Sequence, residues 1–170
     1  MRVLLLCALV SWFLGATTGI ADSNSHYTLY LVRHAEKQAD GSRDPVLTEA
    51  GIHRAEQLAG WLQDKDIEDI WSSDYHRTRD TAKPLLAKLN RELNIYDPGD
   101  QSILVNQLNN RKKTALVVGH SNTIPELARL LCECNIADME DSEYDRLIVL
   151  SIDGDVVESR TLQQDFLFRR

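Results

Sequence analysis

Apolar and polar positions follow two rhythms between residues 27 and 162. "YTLYLV" (27 to 32), "TALVVGH" (114 to 120) and "RLIVLSI" (146 to 152) are apolar almost without interruption, the mark of strands covered on both faces, and "IEDIWSS" (67 to 73) reads as a second short strand. Between them the spacing turns helical. In "LTEAGIHRAEQLAGWLQDK" (47 to 65), Gly51, Ala55, Leu58 and Leu62 share one face and Thr48 is placed to cap the start. A second helix is expected over 75 to 93, bent or divided at Pro84, and a third over 101 to 113, with "NIYDPGD" (94 to 100) between them as a loop broken by Pro98 and Gly99. "TIPELARLLCE" opens a fourth helix with Thr123 and Glu126 at capping-box spacing and Pro125 in the first turn. Asp153-Gly154 between two strand-like runs predicts a hairpin. This order of elements implies an α/β three-layer sandwich, with a mostly parallel central sheet, helices on both faces and an antiparallel C-terminal hairpin.

The N-terminus departs from this pattern. Arg2, the apolar "VLLLCALVSWFLG" and the small, polar "ATTGIADS" predict a secretory signal peptide over 1 to 21, cut after Ala21, and one domain over 22 to 170. An uncleaved anchor is the competing reading. Cleavage would make the protein periplasmic or secreted with no stable membrane span, and would leave 149 residues, enough for a single core. Loss of Arg2 would move the net charge from −7 to about −8, a surface that repels nucleic acid and anionic lipid. Arginines gathered in a cleft would still hold a small anion. Cys132 and Cys134, separated by one residue on a helical stretch, are expected as core or free thiols, with a strained local bridge or intermolecular use as the alternatives.

In open α/β sheets, sites form where strands end. Three segments deliver Arg, His or both at that point: "LVRHAEK", "IWSSDYHRTRDTA" and "LVVGHSNT". If the strands are neighbours, Arg33, His34, Arg77 and His120 converge. A lone Arg or His at a strand end is ordinarily a surface or hydrogen-bonded group, but two guanidiniums and two imidazoles together suit a phosphoryl group. Arginine offers paired donors to its oxygens, and a neutral imidazole is able to attack phosphorus.

The chain here resembles the histidine phosphatase superfamily, which includes the cofactor-dependent phosphoglycerate mutases. The resemblance rests on "LVRHAEK" (31 to 37), "LTEAG" (47 to 51) with "RA" (54 to 55), "SSDYHRTRDTA" (72 to 82) and "VVGHSNT" (117 to 123), in the family's order. Arg-His-Ala in place of Arg-His-Gly is similar to the smaller phosphatase members. The resemblance implies a phosphatase that needs no metal or cofactor, with His34 as the nucleophile that becomes phosphohistidine and Arg33, Arg77 and His120 binding phosphate. It also implies a general acid after the second arginine. Asp97 is the first candidate, then Asp100, which would otherwise cap a helix, and last Glu92. Glu36 is weighed between the pocket mouth and solvent, and His26, His53 and His76 read as exposed.

Three other readings compete. "GHSNT" is similar to a serine-hydrolase elbow, but Thr123 replaces the second glycine and no histidine follows Ser121. Zinc-site spacing is lacking. An inactive phosphate- or partner-binding module of the same fold is the remaining alternative. About 43 positions separate Arg77 from His120, little room for a lid. An open site points to a bulky or varied substrate: a small-molecule or glycan phosphate ester, or a phosphoprotein.

Overall fold

A computed structural model of the protein describes residues 26–164. The predicted signal peptide and its cleavage site lie outside the described residues. The element order is β1 (His26–Arg33), α1 (Glu49–Leu62), β2 (Asp69–Ser73), α2 (His76–Leu89), β3 (Leu93–Tyr96), α3 (Gln101–Arg111), β4 (Ala115–Gly119), α4 (Thr123–Cys132), β5 (Arg146–Asp153) and β6 (Val156–Gln163).

The strands form one six-stranded sheet in the order β3-β2-β4-β1-β5-β6. β3, β2, β4 and β1 run parallel, β5 pairs antiparallel with β1, and β6 returns antiparallel to β5. Gly154 takes φ +60° in that last turn, a left-handed conformation that glycine adopts without the steric cost of a Cβ. The α/β architecture and its C-terminal hairpin are as the sequence predicts.

Alternate residues of each central strand enter different cores. Leu29 and Leu31 of β1, Val117 of β4 and Ile148 and Leu150 of β5 pack with Leu104 of α3 and Leu127 of α4. Tyr30 and Val32, Leu116 and Val118, and Leu147 and Val149 point to the opposite face, against Leu58 and Leu62 of α1 and Leu85 of α2. Burial on both faces is why these strands read as continuous apolar runs rather than alternating ones.

Four local expectations need correction. Leu93, expected to end the second helix, and Asn94 to Tyr96, expected within a loop, form the edge strand β3, whose four residues are too few to show a period. Pro84 does not divide α2, which continues unbroken to Leu89. Thr123 does not cap α4: Asn122 holds the N-cap position, and the Thr123 hydroxyl accepts instead from the His120 amide at 3.0 Å. Cys132 and Cys134 form a disulfide. The helix ends at Cys132, and Glu133 turns into the left-handed region at φ 50°, so the two side chains are no longer held on different sides of a helix, and their Cα atoms lie 5.1 Å apart. Thr48 does cap α1, accepting from the Gly51 amide at 3.1 Å.

Candidate active site

β4 lies between β1 and β2, so the three polar strand ends meet at one edge of the sheet. The amide of His34 donates to the Gly119 carbonyl at 2.9 Å, tying the end of β1 to the end of β4. β2 stops at Ser73, and with two residues between it and the start of α2 at His76, Arg77 falls in the first turn of that helix. Arg33, His34, Arg77 and His120 thus line one open cleft of about 410 Å³, with Lys37 and Asp141 at its edge.

His34 is only 3 % exposed. Its Nδ1 lies 2.8 Å from the carbonyl of Ala35, and because a carbonyl can only accept, Nδ1 carries the proton and the lone pair is left on Nε2. The His34 pKa is lowered to about 3, chiefly by burial; the Ala35 hydrogen bond acts to raise it, and the Arg33, His120 and Arg77 charges add to the lowering. The imidazole is therefore neutral at physiological pH.

His120 packs edge-on to His34, with ring centroids 5.5 Å apart. Its Nδ1 faces Arg77 Nη2 at 3.5 Å, and a guanidinium only donates, so Nε2 bears the proton and donates to Ser73 Oγ at 2.9 Å. Ser73 Oγ in turn donates to Thr78 Oγ1 at 3.1 Å. Burial first, then Arg77 and Arg33, lower the His120 pKa to about 4, while Asp44 acts the other way.

The two guanidiniums are held from outside the cleft. Arg33 Nη1 donates to the carbonyls of Glu140 and Glu143 at 3.0 and 3.1 Å, and its guanidinium stacks on Tyr144 at 4.2 Å. Arg77 stacks on Tyr75 at 4.4 Å and reaches Asp44 at 3.4 Å. The Nε atoms of Arg33 and Arg77 are buried without a hydrogen-bond partner. Two unmatched charged donors beside a neutral imidazole are costly in the empty protein and suit an entering oxyanion.

The carboxylates fall elsewhere than expected. Asp97 is exposed and accepts from the Gly99 amide at 2.8 Å, so its side chain closes its own turn and does not line the cleft. Asp100 caps α3, accepting from the Ile103 amide at 3.3 Å. Glu92 is exposed beside the start of β3, the opposite end of the sheet from the strand termini that build the site. Glu36 is committed to Arg54 through contacts of 2.6 to 3.0 Å; burial acts to raise its pKa, but the Arg54 hydrogen bonds, its own backbone amide and the charges of Arg54 and Arg33 together leave it lowered. His26, His53 and His76 are exposed.

Two acids that sequence reasoning missed stand near the arginines. Asp44 accepts from the His76 amide at 2.9 Å, capping α2 from 32 residues away. Asp141, in the connection between α4 and β5, accepts from Ser121 Oγ at 3.0 Å and lies 3.8 Å from Arg33 Nη2. Neither has a local sequence signal, because each is brought in by a loop.

Comparison with known proteins agrees with this geometry. The sequence model of the histidine phosphatase superfamily (branch 1) matches residues 29–98. The probable phosphoglycerate mutase GpmB of Yersinia pestis is 35 % identical over 89 residues, which cover 49 % of this chain and 41 % of that protein, so the chain spans less than half the length of this curated relative. Among solved structures, the protein histidine phosphatase SixA complexed with tungstate superimposes with a TM-score of 0.68 at 19 % identity, covering 82 % of this chain and 99 % of that one. The alpha-ribazole phosphatase of Shigella flexneri gives 0.65 at 17 % identity, covering 80 % and 96 %. Residues 29–98 match the histidine phosphatase superfamily model, and the motifs and the fold support the same family assignment for this chain.

Proposed function

We propose that the protein is a phosphatase that hydrolyses phosphomonoesters or phosphoramidates through a phosphohistidine at His34, without a metal. The observation that carries the reading is the neutral, buried His34, whose Nδ1 proton is held by the Ala35 carbonyl beside Arg33 and Arg77. Attack by Nε2 on phosphorus forms a P–N bond as the bond to the leaving group breaks. The arginines stabilise the charge on the transferring oxygens. Water then attacks the phosphohistidine, releasing phosphate and returning the electron pair to Nε2.

The open cleft favours a phosphoryl group presented on something large, such as a glycan or a protein, because no long insertion covers it. The sequence-predicted signal peptide favours an exported enzyme; a fusion of residues 1–25 to a reporter should direct it out of the cytoplasm, and retention would argue against export. The inactive-module alternative gains weight from the positions of Asp97, Asp100 and Glu92 away from the cleft. Turnover decides between them. Purified protein should release inorganic phosphate from a phosphate-ester panel with chelator present, and His34→Ala should be inactive. Phosphate binding without release would support the module, and recovery only on added zinc would refute metal independence.

A further inference from the structure

We propose that Asp141 is the general acid and base of this site, a role that rests on the phosphatase reading above. Asp141 is the carboxylate that lines the cleft beside His34, Arg77 and His120. Its rival Asp44 is already occupied by the first amide of α2 and by Arg77.

In-line displacement puts the leaving group on the side of phosphorus away from the attacking nitrogen. His34 is at the cleft floor, 3 % exposed, whereas the Asp141 side chain is 96 % exposed at the mouth. A phosphoryl group held by the guanidiniums above His34 therefore directs its leaving atom outward, toward Asp141. The side chain is oriented for this by Ser121 Oγ at 3.0 Å. Its loop is fixed on both sides: Arg129 donates to the Ile136 carbonyl at 2.7 Å, Arg146 grips Glu143 at 2.6 Å, and Met139 is buried.

In the first step Asp141 gives its proton to the leaving oxygen as the P–O bond breaks and Nε2 bonds to phosphorus. In the second, the carboxylate takes a proton from the attacking water as the P–N bond breaks, which restores the acid.

The test compares kcat/KM for two substrates, because an acid matters only where the leaving group needs a proton. Asp141→Asn should lower kcat/KM for an alkyl phosphate by about 10²-fold or more, and change it by no more than about 3-fold for p-nitrophenyl phosphate, whose leaving group departs as the anion. The variant should also accumulate phosphoenzyme, since water has lost its base. Ser121→Ala should show the same selectivity more weakly. Equal losses on both substrates, or no loss on either, would overturn the assignment, as would finding the selective loss in Asp44→Asn instead. A wild-type protein inert toward both substrates would overturn the phosphatase reading and this role with it.

Discussion

Lowering the pH should destabilise the protein through His34 in a way that substitution of that residue removes. The perturbation is the burial of a neutral imidazole at 3 % exposure next to Arg33, Arg77 and His120. Its pKa falls from an ordinary 6.5 to about 3, so between those values the unfolded chain binds a proton that the folded protein refuses. Stability is then fully present above pH 6.5, declines as the pH falls, and finishes declining near pH 3. From pH 7 to pH 5 the loss from this group alone is about 2 kcal/mol. His120 adds a smaller loss because it is partly exposed. Urea denaturation of wild type and His34→Asn across this range isolates the His34 contribution, since Glu36, Asp100 and His120 act in both proteins. The curve for wild type should be steeper by about 2 kcal/mol over the interval. Parallel curves would refute the claim that His34 is buried as the neutral base.

Other regions give separate tests. A Cβ at Gly119 would stand 2.7 Å from Tyr96 Oη and 2.9 Å from Ile124 Cδ1. Gly119→Ala should therefore cost about 1–3 kcal/mol in thermal or urea unfolding and reduce turnover by displacing His120. Leu150, fully buried between the sheet and the α3/α4 layer, should cost about 2–5 kcal/mol on truncation to alanine, read by the urea midpoint. Arg77→Lys keeps the charge but loses the planar fork, so kcat/KM should fall by roughly 10²-fold even though lysine remains a cation. Reduction of the Cys132–Cys134 disulfide closes no long loop, so Cys132→Ser with Cys134→Ser should lower stability by no more than roughly 2 kcal/mol.

The features legible in the sequence were those with a local or periodic cause. Strands covered on both faces must be apolar throughout, and the α1 stripe of Gly51, Ala55, Leu58 and Leu62 is what a helix on a sheet requires. Arg33, His34, Arg77 and His120 were legible because strand ends in such a sheet converge, whatever the loops do. What could not be read depends on loop paths. Asp97 and Asp100 occupy a plausible segment, yet local backbone amides claim both side chains. Asp44 and Asp141 arrive from distant loops, and the backbone carbonyls of Glu140 and Glu143 that fix Arg33 leave no trace in residue identity. The turn at Glu133 that lets Cys134 meet Cys132 is likewise invisible, since a non-glycine residue in that conformation is uncommon.

The most direct test of the account is to locate the phosphoryl group during turnover. Wild-type protein mixed with a labelled phosphate ester, quenched in alkali and mapped by mass spectrometry, should carry phosphate on the His34 imidazole, acid-labile and alkali-stable, and His34→Ala should carry none. Phosphate on another residue, or undiminished hydrolysis by His34→Ala, would contradict it.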